Sequence, residues 1–312
     1  MFSVWRKKSL WIIGLVMVSI VGLVTGCGGN KAAQPQEKSD KKVIGFSVST
    51  LNNPFFVDLR DGAQAAAKEM GVELIVMDAQ NDTSKQMSNI ENLVQQKVSV
   101  LIVNPVDSKA IVPAIEAANK ANIPVITVDR SAEGGKVVSA IASDNVAGGK
   151  MAAQLLIDKL GGKGKVVELE GIPGSSAAND RGKGFDDAMK AAAGISIVAK
   201  QPADFDRAKG MKVMENILQA NPEIQAVFAQ NDEMALGAVE AIKAVNRTNV
   251  LVVGFDATAD AVTAVNSGDM LATVAQKPKD MGKISIETAI KIMNGEAVAA
   301  SIPVPLELIV KK

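Results

Sequence analysis

Histidine and tyrosine are absent from these 312 residues, and cysteine occurs once. Without histidine the chain has no imidazole general base, no imidazole zinc ligand and no Ser-His-Asp triad. A single cysteine, Cys27, excludes an intrachain disulfide and a thiolate metal site, so burial of apolar surface must hold the fold together. Both tryptophans, Trp5 and Trp11, lie near the start, and beyond residue 26 the only aromatic rings are seven phenylalanines. Acidic and basic residues balance at 34 each, so no basic patch is expected and no nucleic-acid partner with it. Gly-Lys pairs begin at Gly135, Gly149, Gly162, Gly164, Gly182 and Gly282, but none precedes Ser or Thr, which excludes a phosphate-cradling P-loop. A Gly-x-Ser-x-Gly elbow and a calcium loop of alternating Asp and Asn are missing too. No cofactor and no metal are expected.

The chain opens with the cations Arg6, Lys7 and Lys8, then an apolar run over 10–24, and closes the run with Val24-Thr25-Gly26-Cys27. The run is short for a membrane span, which needs about 20 residues. This opening resembles a bacterial lipoprotein signal. The resemblance implies a signal peptide over 1–26, a lipid on the Cys27 sulfur and a mature chain anchored to the outer face of the cell membrane. Loss of three basic residues with the signal leaves a formal charge of −3. An uncleaved membrane anchor, or an ordinary signal with a chance cysteine, is the blander reading. Residues 27–42, rich in Gly, Gln and Lys without apolar periodicity, read as a flexible tether.

From residue 43, short β-rich apolar runs alternate with segments whose apolar residues recur every three or four positions. The pattern predicts strands at 43–49, 72–77, 98–103 and 124–128, with helices at 55–70 and 85–97. In the first helix Phe56, Leu59, Ala63, Ala66 and Met70 share a face, Pro54 suits the first turn and Gly71 the exit. The runs 98–103 and 124–128 are almost continuously apolar, as parallel strands covered on both faces must be. A second series follows, with helices at 146–160, 176–193, 207–220, 233–245 and 260–266 between strands at 165–169, 195–200, 224–229, 250–255 and 270–275. Helix 280–293 and a tail containing Pro303 end the chain. About 270 residues of this kind exceed one comfortable core, so the reading is α/β with two doubly wound, parallel-sheet domains.

In open parallel sheets ligands bind beyond the carboxyl ends of the strands. Those ends carry Ser49, Asn53, Phe55 and Phe56, then Asn104, then Asp129 and Arg130. The second half supplies Arg181, Phe205, Asn231, Asp256 and Gln276. Carboxylates accept from hydroxyls, guanidinium forks donate, amides do both, and phenyl rings pack on C–H faces, an inventory suited to a neutral polyol. Two aspartates and two arginines also sum to zero, as a neutral ligand in a dry pocket requires. The plainer reading is that Asn53 caps a helix, Asp129-Arg130 is a surface ion pair and the phenylalanines are core.

At these positions the chain closely resembles the D-ribose-binding proteins of bacterial ABC importers, within the periplasmic binding protein class. The segments that carry the resemblance are Ser49-Thr50-Leu51-Asn52-Asn53-Pro54-Phe55-Phe56, Ile123-Pro124-Val125-Ile126-Thr127-Val128-Asp129-Arg130, Gln201-Pro202-Ala203-Asp204-Phe205-Asp206-Arg207 and Ala229-Gln230-Asn231-Asp232-Glu233-Met234-Ala235-Leu236-Gly237. It runs from about Lys42 to the C-terminus, with a small length change near 191–194. It implies a periplasmic binding protein-like fold, with lobes formed by 43–143 plus 277–304 and by 144–276 plus 305–312. A three-strand hinge would cross near Ser143-Asp144, Gln276-Lys277 and 303–306. It also implies a monomer that closes over D-ribose through the twelve strand-end residues above and delivers it to a permease and its ATPase. Allose, another pentose, a furanosyl quorum signal or a chemotaxis role are the alternatives within the class. Ala257 departs from the pattern, which has glycine after the aspartate, and Asn179-Asp180 before Arg181 are a second departure. Two other classes fit the sequence less well. A glycosidase could use Asp129 and Asp256 as its acid and base, but a cationic or amide partner beside each should keep both ionised. A sugar-responsive repressor of the lac type needs a helix-turn-helix domain where this chain has its signal and tether.

Overall fold

The computed structural model describes residues 42–311. Cys27, the signal segment 1–26 and the tether up to residue 41 lie outside the described residues. The first run of elements is β1 (Val43–Val48), α1 (Pro54–Glu69), β2 (Glu73–Asp78), α2 (Thr83–Gln95), β3 (Val100–Val103), α3 (Val112–Lys120), β4 (Val125–Val128) and β5 (Val137–Ala142). There follow α4 (Asn145–Lys159), β6 (Lys163–Glu170), α5 (Ser176–Ala191), β7 (Gly194–Pro202), α6 (Arg207–Ala220), β8 (Ala226–Ala229), α7 (Asp232–Ala244), β9 (Leu251–Asp256), α8 (Ala259–Ser267) and β10 (Ala272–Ala275). The chain ends with α9 (Pro278–Met293), β11 (Ser301–Pro303) and β12 (Glu307–Val310).

The strands form two six-stranded sheets with the same order, β2-β1-β3-β4-β5-β11 and β7-β6-β8-β9-β10-β12. All neighbours are parallel except β12, which runs antiparallel to β10. The chain changes sheet after β5, again after β10, where α9 returns to pack on α1, and a third time between Pro303 and Glu307. Two parallel-sheet α/β lobes result, matching the architecture expected from the sequence.

Helices cover both faces of each sheet, and the strand sequences follow from that. Every residue of β3 and β4 is buried, with Ile102 and Ile126 facing Phe46, Leu59 and Met281 on one side, and Leu101 and Val125 facing Ile90, Leu93 and Ile115 on the other. The second lobe repeats the scheme around Phe185, Phe228 and Phe255 on one face and Met214, Met234 and Val252 on the other. Boundaries shift by a residue or two from the sequence expectation, and β7 is longer. Met70, placed by periodicity on the buried stripe, is the C-cap of α1 and 38% exposed, because the stripe ends where the helix does. Helices α4 and α5 cross at two glycines. A Cβ on Gly149 would lie 2.1 Å from the Arg181 carbonyl oxygen, and one on Gly184 2.0 Å from that of Val146, so backbones meet there.

Candidate functional site

Each polar residue at the site is placed by a strand end or a helix start. Asn53 caps α1, its side chain accepting from the Phe55 N–H at 2.9 Å, and Pro54 opens the helix. Asn231 caps α7 in the same way, accepting from Met234 N–H at 3.0 Å while donating to the Phe205 carbonyl at 3.3 Å. The plain reading of Asn53 as a cap is therefore correct, and it does not exclude a second role, since both asparagines also line the cavity. The two helices aim their N-terminal ends at one place from opposite lobes.

That place is a small cavity lined by Asn53, Phe55, Phe56, Asp129 and Arg130 from the first lobe. Ala177, Arg181, Phe205, Asn231, Asp256 and Gln276 complete the wall from the second lobe and its edge. Ten of the twelve residues read from the sequence thus converge. The other two stand behind the wall. Ser49 is fully buried, and its N–H donates to Asn104 Oδ1 at 3.2 Å. The Asn104 amide donates to the Val128 carbonyl at 3.0 Å and to Asp129 Oδ2 at 3.1 Å. Ser49 and Asn104 therefore orient Asp129 rather than face the cavity. Sequence reasoning missed Ala177, although it lies four residues before Arg181 on α5 and so on the same helix face. It also missed Asn145, whose Oδ1 accepts from Arg181 Nε at 2.8 Å.

The backbone is strained around the cavity. Asp129, Asp204, Phe205, Asp256 and Ala257 all take positive φ, at 65°, 55°, 59°, 117° and 58°. Non-glycine residues seldom adopt this region, and clusters of them mark sites where geometry is held by the surroundings. Gly171 makes room for one of them, since a Cβ there would meet the Phe205 ring at 2.1 Å.

Aspartate and arginine alternate around the cavity without pairing closely. Arg130 Nε stands 3.7 Å from Asp129 Oδ2, and Arg181 Nη1 3.7 Å from Asp256 Oδ1, both beyond hydrogen-bond range. The guanidinium groups are fixed elsewhere: Arg130 donates to the Pro105 carbonyl at 3.2 Å, and Arg181 to the Gln230 carbonyl at 2.7 Å. Aromatic faces support them. Arg130 lies 5.0 Å from the Phe56 ring centre and 5.3 Å from that of Phe205, while Arg181 lies 3.8 Å from Phe255. Phe55 and Phe56 meet edge to face at 5.2 Å. Asp129 Oδ1, Arg130 Nε and Gln276 Oε1 are buried and accept or donate no hydrogen bond within the protein.

Burial dominates the electrostatics. It pushes the Asp256 carboxyl up to about 7, against the opposing pull of Arg181 and of the Gln276 amide, which donates to Asp256 Oδ1 at 2.9 Å. Asp129 is also raised by burial, and Arg130 is lowered to about 10 for the same reason. The expectation that a cationic or amide partner keeps both aspartates ionised does not hold for Asp256: neither the guanidinium at 3.7 Å nor the Gln276 amide offsets its desolvation. Among the described residues no group of acidic, cysteine or histidine side chains is placed to hold a metal ion.

The arrangement offers acceptors, donors and apolar faces to a small hydroxylated ligand, enclosed by two lobes that also touch directly. The Ser131 N–H donates to Ser176 Oγ at 2.9 Å and the Ser108 N–H to the Gly174 carbonyl at 3.0 Å. Comparison with known proteins agrees with this geometry. A profile for the periplasmic binding protein domain matches residues 44–297. The chain is 49% identical over 304 residues to the ribose import binding protein of Bacillus subtilis, covering 96% of this chain and 99% of that one. It is 50% identical over 296 residues to the ribose import binding protein of Escherichia coli, covering 95% and 97%. Among solved structures, an ABC transporter periplasmic solute binding protein from Actinobacillus succinogenes with bound D-allose superposes with a TM-score of 0.82 at 35% identity, covering 87% of this chain and 98% of that one.

Proposed function

Starting from the fact that the chain belongs to the periplasmic binding protein family, we propose that it captures D-ribose between its two lobes and delivers it to an ABC sugar importer. The observation that carries this reading is the set of buried polar atoms around the cavity without a hydrogen bond within the protein, Asp129 Oδ1, Arg130 Nε and Gln276 Oε1. An unsatisfied buried polar atom costs about 1 to 3 kcal/mol, and ligand hydroxyls remove that cost. Phenylalanines 55, 56 and 205 supply the apolar faces for the sugar's C–H bonds.

In this proposal the lobes are 43–143 plus 277–304 and 144–276 plus 305–312, hinged where the chain changes sheet. Each lobe carries a half-site, and a sugar that contacts both favours closure by its higher affinity for the closed form. The permease and its ATPase then receive sugar from the closed protein. The protein is a binder and not an enzyme, works as a monomer, and is tethered by a lipid on Cys27 to the outer face of the cell membrane. The signal-like opening and the family's extracytoplasmic location support the last point.

Calorimetric titration with D-ribose, glucose, galactose, xylose, allose and a furanosyl quorum signal tests the reading. Tight one-to-one ribose binding with weak binding of the others is expected. Tight binding of another sugar in place of ribose moves the specificity and keeps the importer class. Silence across the panel rejects the site.

A further inference from the structure

We propose that Glu168 is a positioning residue for Arg181: through Gln230 and Lys200 it sets both the carbonyl to which Arg181 donates and the helix on which Arg181 stands. The proposal rests on the sugar-binding reading of the cavity.

Glu168 interrupts an apolar run, Val166-Val167-Glu168-Leu169, in β6, which lies between β7 and β8. A strand flanked on both sides buries its side chains, and Glu168 is 0% exposed. A carboxylate persists in such a place only where a donor or a cation holds it. Glu168 has one of each. The Gln230 amide donates to Glu168 Oε1 at 2.7 Å, and Lys200 Nζ lies 3.0 Å from Oε2.

Both lead to Arg181. Gln230 Oε1 accepts from the Gly171 N–H at 2.8 Å, so the amide is fixed at both ends, and the Gln230 backbone carbonyl accepts from Arg181 Nη1 at 2.7 Å. The next residue, Asn231, caps α7 and lines the cavity. Lys200, from β7, donates to Asp186 Oδ2 at 2.9 Å, which ties it to α5 five residues beyond Arg181. Gly182 lets that helix settle on the group: a Cβ there would lie 3.0 Å from Gln230 Nε2, 3.4 Å from Glu168 Oε1 and 3.5 Å from Lys200 Nζ. Neither Glu168 nor Lys200 lines the cavity, so both act on the ligand only through others. A carboxylate suits this task because one oxygen accepts from the Gln230 amide while the other pairs with the Lys200 charge. A neutral amide can keep the first contact but loses the second.

A double-mutant cycle separates positioning from general support of the fold. Glu168→Gln is expected to weaken D-ribose binding about tenfold, as coupled hydrogen-bond networks do. In an Arg181→Lys background the same change should cost no more than about twofold, since the group it positions is already lost. Losses that add in full, or wild-type affinity in Glu168→Gln, overturn the proposal. If Glu168→Gln does not fold, Lys200→Gln, at the half-exposed end of the network, takes its place in the cycle with the same expectation. A second readout needs no ligand: the nitrogen resonance of the Arg181 guanidinium should shift in Glu168→Gln, and an unchanged signal overturns the proposal. If another sugar binds in place of ribose the cycle is run with that sugar, and if none binds the resonance decides, so failure of the ribose reading stays distinct from failure of this one.

Discussion

Arg181 and Asp256 face each other across 3.7 Å without a hydrogen bond, although both are almost wholly buried. Arg181 is held instead by Asn145, the Gln230 carbonyl and the Phe255 ring, and Asp256 by Gln276. Each therefore keeps bonding capacity toward the cavity. A tight bidentate pair would have satisfied both groups and left little for a ligand.

Asp256→Ala removes that acceptor and leaves Arg181 as a buried cation without its counter-charge. Sugar binding should weaken by about 2 to 5 kcal/mol, measured by calorimetry. Affinity equal to wild type would sink the assignment of Asp256 to the site. Arg181→Lys should also weaken binding, because one ammonium cannot donate in two directions as the planar fork does.

Binding should depend on pH through Asp256, whose carboxyl is pushed up to about 7 by burial between the lobes. Ligand hydroxyls that donate to the carboxylate favour its charged form and lower that pKa in the complex. Below about 7, then, binding must expel a proton and affinity falls as pH falls, while above it the dependence vanishes. Titrations at pH 6 in buffers of different ionisation enthalpy should show proton release, and flat affinity between pH 6 and 8 would refute the mechanism.

Ala257 adopts φ of 58°, a conformation that costs a non-glycine residue about 1 to 2 kcal/mol. Its N–H donates to Thr273 Oγ1 at 3.2 Å, which holds the turn in place. Ala257→Gly relieves the strain but adds freedom to the unfolded chain, so thermal unfolding should show a net gain between zero and about 1 kcal/mol. A clear loss of stability would mean that the alanine methyl makes a contact worth more than the strain.

Gly149→Ala should disturb the site from a distance. The new methyl would press on the Arg181 carbonyl from 2.1 Å and force α4 and α5 apart. Destabilisation of about 1 to 3 kcal/mol is expected, with weaker sugar binding, by chemical denaturation and titration of the same sample.

Cys27→Ser should release the protein from the membrane fraction into the medium or periplasm, assayed by fractionation. Retention in the membrane would favour an uncleaved apolar anchor over a lipid.

Much of this was legible in one dimension. Apolar runs at 98–103 and 124–128 announced strands buried on both faces, and the structure buries every residue of β3 and β4. Strand β5 and the terminal strands β11 and β12 were not delimited, because their residues are only partly buried and alternate weakly. Strand-end reasoning brought ten residues to one cavity but could not tell that Ser49 and Asn104 stand behind Asp129, since depth behind a wall has no sequence signature.

The amino-acid sequence by itself determined the alternation of strands and helices, the absence of imidazole and disulfide chemistry, and the residue types available at the strand ends, since these follow from side-chain chemistry and local periodicity. Tertiary structure alone decided that burial pushes the Asp256 carboxyl up to about 7, that Arg181 is aimed by Asn145 and Gln230, and that Glu168 is buried beside Gln230. Desolvation and hydrogen-bond geometry depend on which distant segments surround a group, and only the folded chain brings those segments together.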